Sequence, residues 1–350
     1  MPKKMKHLIL CLLLFAALTL LLPIAAAALA GGGGGGGADA FTTLLPAAGG
    51  QSGATDSAAG TADPLAGQTL PIYNSASGEV ETVSMRDFLI GAAASEMPIS
   101  YQKEAFKAQI IAAHSYALAC RDAQQQNPDP ALAGGWFSAD PDAHEGFIRP
   151  DGLRALWGDQ YEDNCAYLSA LVDEVGGLVL YWDGAPALAT YFALCNGTTE
   201  SSEAVWGRAL PYLVSVDSAL DLTSPDCEQT VTLSAQEVSD RLKLAFYELK
   251  LEGDPSTWFP EPVRDAAGYV ESMQIEGQTL KGTELREALG LRSADFTVAY
   301  DGAGQFTFTT RGYGHGVGLS QYGANAMAIT GKGYEEILAH YYPGATLAAG

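Results

Sequence analysis

Glu96 is the residue of this sequence whose type and position best suit acid–base chemistry. It lies seven residues after Leu89 and four after Ala92, so it continues the apolar face of a predicted helix that ends at Met97-Pro98. Burial and the negative end of a helix both disfavour a carboxylate, and both therefore raise the pKa of this group. A carboxylic acid that stays protonated near neutral pH is what general-acid catalysis requires.

A structural role explains the position of Glu96 equally well. In that case its carboxylate caps neighbouring backbone N–H groups, or pairs with an arginine where the chain turns. A single Glu in a helix does not distinguish the two roles.

A second predicted helix begins with Ser100 as its N-cap and carries apolar residues on nearly every face. Such a helix is typical of a protein core. His114 and Tyr116 lie on this helix, and polar residues with satisfied hydrogen bonds occur in cores. From the pattern alone we expect both to be core groups.

A glycine-rich segment near the C-terminus is the second candidate for chemistry. From Gly312 to Gly318, glycines alternate with larger residues, which allows close backbone approach and suits the floor of a groove. His315 lies at its centre. The alternative is a tight strand kinked by glycines, with His315 exposed.

The elements that must position these residues include helices. Ser84 is a good N-cap for the helix of Glu96, with Asp87 three residues later. A turn is predicted from Asn74 to Gly78, shortly before this helix.

Strands are also predicted. A strand-like run at 177–182 ends at Asp183-Gly184, and the run at 189–193 follows, which predicts a hairpin. Later strands are predicted at 269–275 and 305–310. The predicted fold class is therefore α+β, with mixed helix and sheet.

The N-terminal part of the chain differs in composition from the rest. Residues 1–30 hold three lysines and then an uncharged run of 23 residues, which would span roughly 34 Å as a helix. They read as a membrane anchor or as a secretory signal with a cleavage site before Gly31. Residues 31–70 read as a flexible linker rich in Gly, Ala and Ser. Residues 71–350 form the predicted folded domain.

Composition limits the possible partners. The chain has a formal net charge of −22, which excludes a nucleic-acid binder that works by neutralising phosphates. Apolar residues make up 47% of the sequence, so the domain can bury a core and global disorder is excluded.

Three groups of motifs resemble the SpoIID/LytB family, which comprises stage II sporulation protein D and the amidase-enhancer domains. They follow one another in the family's order across residues 71–347. The segments are 85–98 and 104–117, then 196–200, 205–207 and 210–213, and finally 312–324, 334–338 and 340–344.

The resemblance implies a cell-wall lytic transglycosylase that cuts peptidoglycan glycan strands during engulfment of the forespore. The catalytic acid of that family falls on Glu96. The implied substrate is strands stripped of stem peptides, and the implied partners are a cell-wall amidase and other engulfment proteins. The implied location is a single-pass attachment to the cell membrane with the catalytic domain outside the cytoplasm, or secretion if the signal is cleaved.

The resemblance also implies a sugar-binding groove around the motif residues. His315 and Gln321 would donate hydrogen bonds to sugar oxygens, and Tyr313 and Tyr322 would stack on pyranose faces. The expected substrate-binding residues are His114, Tyr116, Thr199, Glu200, Trp206, His315, Gln321 and Tyr322.

The chain departs from the family pattern at three places. Family members usually carry Arg where this chain has His114, and Leu194 to Gly197 replaces a segment that commonly holds Ser and paired Gly. Some relatives bind zinc through a His/Cys cluster, whereas here only His144, followed by Glu145, is available. We therefore expect no cofactor and no zinc.

Two alternatives to this reading remain open. The domain could bind the cell wall and assist a partner hydrolase without cutting, as amidase enhancers do. Alternatively, Cys195 could be a nucleophile with His114 or His315. The four cysteines that follow the N-terminal segment could also form two disulfides with three possible connectivities; they are Cys120, Cys165, Cys195 and Cys227.

Overall fold

The structure, a computed structural model, describes residues 64–141 and 145–350 as a mixture of helices and sheets, in agreement with the predicted α+β class. The predicted membrane segment 1–30 lies outside the described residues, as does most of the predicted linker. None of the helices in the described ranges is long and apolar enough to cross a membrane. Leu65, shortly before the predicted start of the domain, is buried in an apolar core.

One long helix packs against four of the other helices. In chain order, the helices are α1 (Met85–Glu96), α2 (Lys103–Gln126), α3 (Pro150–Trp157), α4 (Tyr161–Val175), α5 (Ser202–Trp206), α6 (Ala235–Ala245), α7 (Gly282–Leu289), α8 (Gln321–Ile329) and α9 (Tyr334–Tyr341). α2 has 24 residues, and α1, α4, α8 and α9 all pack against it. It is buried along most of its length, as predicted for a core helix.

The strands form small sheets rather than one large sheet. They are β1 (Thr69–Asn74), β2 (Glu79–Ser84), β3 (Ser138–Ala139), β4 (Leu178–Trp182), β5 (Ala185–Pro186), β6 (Tyr191–Phe192), β7 (Glu228–Ser234), β8 (Val263–Arg264), β9 (Val270–Ile275), β10 (Gln278–Lys281), β11 (Phe296–Tyr300), β12 (Gln305–Arg311), β13 (Leu319–Ser320) and β14 (Thr346–Ala349). In the described ranges the strand orders are β2-β1-β3, β14-β4-β5, β13-β6, β10-β9-β8 and β11-β12-β7. β9 and β12 confirm the two later strands predicted from the sequence.

The start of α1 was predicted correctly, but the start of α2 was not. The Ser84 hydroxyl accepts a hydrogen bond from the backbone N–H of Asp87 and so caps α1. α2 begins at Lys103 with Gln102 as its N-cap, rather than after Ser100. The N–H of Gln102 donates to the side chain of Asn325 in α8 at 2.8 Å, so a tertiary contact fixes this start.

The predicted hairpin is half correct. Asp183 and Gly184 form the tight turn, both with positive φ, and it joins β4 to the short strand β5. The run at 189–193 does not pair with β4. Its strand β6 pairs in parallel with β13, which lies more than a hundred residues away in the sequence.

The described chain folds around two apolar cores, which define two lobes. The first core draws on residues 65–213 and 317–342, and the second on residues 233–308. The second lobe is therefore inserted between two parts of the first. The chain leaves at Cys227 and returns at Gly312, whose N–H donates to the Cys227 carbonyl at 2.8 Å.

Candidate active site

Glu96 is the last residue of α1, and its side chain meets the first residue of α8. Nε2 of Gln321 donates a hydrogen bond to Oε2 of Glu96 at 2.9 Å. Leu89 and Ala92 are fully buried on the same face of α1, which agrees with the spacing argument. Among the described residues, the carboxylate bonds to this amide, so the alternative of a pairing with arginine is not supported.

The surroundings of Glu96 favour its protonated form. Burial raises the pKa of Glu96 above its ordinary value, as the sequence predicted. The hydrogen bond from Gln321 opposes this rise because it stabilises the anion, while the nearby negative charge of Glu145 adds to it. The residue as a whole is only partly buried, so it combines a raised pKa with access for a substrate.

A buried polar cluster around Asp221 holds Gln321 in place. The Ser320 hydroxyl caps α8 by accepting from the N–H of Gly323 at 3.1 Å, and it donates to the Asp221 carboxylate at 2.7 Å. Asp221 is completely buried and also accepts from the N–H of Cys195 at 2.7 Å. The first turn of α8 is thus tied to the central motif of the sequence.

Tyr191 lies close to Glu96 and was missed by the sequence analysis. Burial raises the pKa of Tyr191 well above its ordinary value, and the charge of Glu96 raises it further, so the two groups are neighbours. Tyr191 also lines a cavity of about 160 Å³. The other residues lining this cavity are Phe88, Tyr116, Phe137, Ser138, Gly146, Thr190 and His315.

The glycine-rich segment makes the close backbone approach that its composition predicted. At Gly318, where φ is +87°, a Cβ atom would lie 2.1 Å from the carbonyl oxygen of Thr190. At Gly314 a Cβ atom would lie 2.8 Å from Cβ of Phe192. Any larger residue at either position would force apart the pairing of β6 with this segment.

His315 holds the backbone rather than offering free hydrogen-bond donors to a sugar. Its Nδ1 accepts from the N–H of Val317 at 3.1 Å, which leaves the proton on Nε2, and Nε2 lies 3.0 Å from the carbonyl oxygen of Tyr191. Burial lowers the pKa of His315 to about 4, so the ring is neutral. The expected donor role is corrected: both ring nitrogens serve the fold of the groove.

Trp206 and Tyr322 are two aromatic residues of the motifs, and their contact with a substrate stays a prediction. Trp206 ends α5, and its ring centre lies 5.4 Å from that of His315. Tyr322 follows Gln321 in α8, with its hydroxyl 3.3 Å from Oγ1 of Thr223. Both residues are only partly buried, so part of each remains accessible.

Thr199 and Glu200 lie inside the loop of the central motif rather than on the groove surface. Oγ1 of Thr199 accepts from the N–H of Val216 at 2.8 Å, and the residue is fully buried. Glu200 is 5% exposed. Burial and then the neighbouring Asp265 raise the pKa of Glu200 to about 9, so the Glu200 carboxyl group keeps its proton at neutral pH. The expectation that both residues contact substrate is corrected accordingly.

His114 and Tyr116 lie on the same helix but have different surroundings. His114 is 2% exposed, its Nδ1 lies 3.2 Å from the carbonyl oxygen of Leu178, and burial lowers its pKa to about 4. It is a core group, as the pattern suggested, and not the substrate ligand inferred from the resemblance. Tyr116, in contrast, lines the cavity beside Tyr191.

The cysteines do not support a thiol nucleophile. Cys195 is 1% exposed, and burial together with the Asp221 carboxylate raises the pKa of its thiol far above the ordinary value. A buried, protonated thiol is a poor nucleophile, so this alternative is wrong. Each of the four cysteines carries a free thiol, which does not support two disulfides; they are Cys120, Cys165, Cys195 and Cys227.

In the part of the chain that the structure describes, no three His, Cys, Asp or Glu side chains are grouped to hold a metal ion. His144, which the sequence offered as a ligand, lies outside that part. The expectation that no zinc is bound therefore stays a prediction.

Comparison with known proteins gives one family match. The family model described as stage II sporulation protein matches residues 73–148. This range contains Glu96 and the whole of α1 and α2. It ends before the central motif and the glycine-rich segment.

The similarity to individual proteins extends further along the chain. Stage II sporulation protein D of Bacillus subtilis is 37% identical over 279 residues, which cover 79% of this chain and 78% of the relative. The protein of the same name from Bacillus amyloliquefaciens is 36% identical, covering 79% and 77%. An amidase enhancer of Bacillus subtilis is 27% identical, covering 74% of this chain but 40% of the relative.

Proposed function

Because this chain belongs to the stage II sporulation protein D family, we propose that it is a lytic transglycosylase that cuts the glycan strands of peptidoglycan. Glu96 acts as the acid and then as the base. The observation that carries this proposal is the Glu96 carboxyl group itself, with a raised pKa and an amide of Gln321 at 2.9 Å. An acid of this kind can deliver a proton at neutral pH.

The proposed reaction needs one carboxyl group, whereas a hydrolase normally needs two. Glu96 protonates the glycosidic oxygen, and the C6 hydroxyl of the muramic residue attacks its own anomeric carbon. The Glu96 carboxylate then takes the proton of that hydroxyl. Because the nucleophile belongs to the substrate, much of the entropic cost of bringing reactants together is removed. The Gln321 amide stabilises and orients the carboxylate between the two proton transfers.

The setting of the reaction is also part of the proposal. The apolar N-terminal run in the sequence supports a membrane attachment, with the catalytic domain outside the cytoplasm. The substrate is glycan whose stem peptides have been removed by a partner amidase, because a peptide on the lactyl group must otherwise find room beside Trp206 and the glycine-rich segment.

The test is digestion of purified, amidase-treated cell wall by the full chain and by Glu96→Gln. The wild type should release soluble fragments that end in 1,6-anhydromuramic acid, as read by mass spectrometry. Glu96→Gln keeps the shape but cannot deliver a proton, so its rate should fall at least about a hundredfold. Glu79→Gln, which removes an exposed carboxylate in β2, is the matched control and should digest wall normally.

Two outcomes contradict the proposal. Full activity of Glu96→Gln would exclude this residue as the acid. Products with reducing ends would show hydrolysis, with Glu145 as the neighbouring carboxylate that activates water.

A wall-binding module that assists an amidase is the second candidate function. The observation that favours it is the similarity to the amidase enhancer. In that case the wild type would bind purified wall, release no fragments by itself, and raise the rate of an added amidase.

A further inference from the structure

Two arginines of the second lobe lie against the glycine-rich segment. The guanidinium of Arg292 lies over the ring of Tyr313, 4.2 Å from its centre. The Arg292 carbonyl accepts a hydrogen bond from the N–H of Gly314 at 2.9 Å and another from Nε of Arg286 at 3.2 Å. One backbone carbonyl thus joins both arginines to the segment that contains His315.

Neither arginine has a carboxylate partner in the described ranges. There, the arginine ion pairs of the second lobe join Arg264 to Asp295 and Arg311 to Glu228. Nε of Arg292 is a buried donor with no acceptor among the described residues. The Arg292 guanidinium therefore has hydrogen-bonding capacity that the described residues do not use.

The backbone of Arg292 is hydrogen-bonded to Gly314, the residue before His315, and His315 lines the cavity. The positive charge of Arg286 is close enough to His315 to disfavour a second charge on its ring. His315 in turn contacts the backbone of Tyr191, the neighbour of Glu96. Tyr313 is 48% exposed, so a sugar can stack on the ring beside the Arg292 guanidinium.

The chemistry of the substrate indicates what such a site would bind. In intact peptidoglycan, the lactyl acid of each muramic residue is tied up in an amide bond to its stem peptide. After an amidase has cut that bond, the lactyl group ends in a free carboxylate. A guanidinium fork matches a carboxylate with two parallel hydrogen bonds, and this match is stronger than a bond between neutral groups.

We propose that Arg292, supported by Arg286, binds the free lactyl carboxylate of a stripped muramic residue and so selects stripped strands. This inference rests on the proposed function, since it concerns the same groove. Stripped strands would then be preferred for two reasons: the arginines attract the lactyl carboxylate that the amidase exposes, and a bulky stem peptide does not fit.

Binding can be tested without cleavage, using the full chain with Glu96→Gln. Soluble strands of one length are prepared in three forms: stripped, stripped with the lactyl carboxylates converted to amides, and intact. Calorimetry should show about tenfold tighter binding of the stripped acid than of its amide. Adding Arg292→Gln should reduce this ratio to near one, and binding of the amide strand by the variant shows that the groove remains folded. Arg292→Lys should give an intermediate ratio, because it keeps the charge but loses the planar fork.

Arg311→Gln is the matched control, since it removes the same charge from an arginine that already pairs with Glu228. It should leave the acid-to-amide ratio unchanged. The proposal is overturned by equal binding of acid and amide, by no binding of either, or by an Arg311→Gln effect as large as that of Arg292→Gln. Intact strands that bind as tightly as the stripped acid would show that stem-peptide carboxylates are bound instead. None of these results depends on whether the wild type cleaves glycan, so the two proposals can fail separately.

Discussion

Gln321 donates a hydrogen bond to Glu96 across 225 positions of sequence. This bond joins the first motif of the chain to the last, and it works against the burial that raises the pKa of Glu96. The carboxyl group is therefore held between two opposing influences, one favouring the acid and the other favouring the anion. An acid–base catalyst that must alternate between both forms benefits from such a balance.

Replacing Gln321 by Ala should slow cleavage and change its pH dependence. Loss of a hydrogen bond to a charged group costs about 1.5–3 kcal/mol, which corresponds to a roughly 10- to 100-fold lower rate. Because the amide lowers the pKa of Glu96, its removal should move the alkaline limb of the pH–rate profile to higher pH. Asn325→Ala, one turn later in α8, is the control and should leave that limb in place. An unchanged limb in Gln321→Ala would contradict the role assigned to this bond.

Replacing Glu145 by Gln should move the same limb in the opposite direction. The negative charge of Glu145 raises the pKa of Glu96, so its neutralisation should favour the anion and shift the limb to lower pH. The shift should shrink as salt is added, since Glu145 is exposed. A shift to higher pH, or one that is insensitive to salt, would contradict a simple charge effect.

Asp221→Ala should destabilise the fold and slow cleavage together. It leaves the N–H of Cys195 and the hydroxyl of Ser320 without their buried acceptor, at a cost of about 2–4 kcal/mol in the free energy of unfolding. Denaturant unfolding and wall digestion measure the two effects. Asp226→Ala, which removes a nearby exposed carboxylate, should change stability by no more than about 0.5 kcal/mol. Normal stability in Asp221→Ala would show that water or another group replaces the carboxylate.

Glu200→Gln should flatten the dependence of stability on pH. Because the pKa of Glu200 is higher in the folded chain than in the unfolded chain, the folded state keeps a proton that the unfolded state has released. Stability from this group is therefore fully present below the unfolded pKa and is lost as pH rises towards the folded value. Unfolding free energies compared at about pH 5 and pH 8 should differ less in Glu200→Gln than in the wild type. An unchanged difference would mean that folding does not raise the pKa of Glu200.

Dialysis against a chelator should leave wall digestion and stability unchanged. The sequence offers His144 without the closely spaced cysteines of a structural zinc site. Metal analysis of the protein before dialysis completes the measurement. Near-stoichiometric zinc whose removal inactivates or unfolds the chain would contradict the expectation.

The position of Glu96 on a buried helix face could be predicted from sequence because helical spacing and helix ends are local features. Helical spacing alone places Glu96 on the face of Ala92, and a capping serine and a following proline mark the ends of α1. The identity of its partner could not be predicted in this way. A periodic pattern describes neighbours along one helix or strand, and it cannot show that Glu96 and Gln321 meet in the folded chain. Gln321 was therefore expected to bind sugar.

The wrong predictions for the run at 189–193, for His315 and for His114 arose because contacts distant in sequence were not visible in local patterns. β6 and β13 have two residues each, too few to show an alternating pattern, so the partner of the run at 189–193 was misassigned. The same pairing accompanies the contact of Nε2 of His315 with the carbonyl oxygen of Tyr191, whereas Nδ1 accepts a local hydrogen bond from the N–H of Val317. Histidine is a residue type that can bind substrate, which is why the resemblance assigned that role to His114. Its helix is buried on nearly every side, so His114 lies in the core.

The junction at Cys227 and Gly312 has a consequence for how proteins of this family diversify. Because the two ends of the second lobe meet at one hydrogen bond, the whole lobe can be gained, lost or exchanged in evolution with only a short turn to close. Glu96 and Gln321 are encoded outside that stretch, whereas Arg286 and Arg292 are encoded inside it. Descendants of a common ancestor can therefore exchange the lobe that carries the two arginines while they keep Glu96 and Gln321.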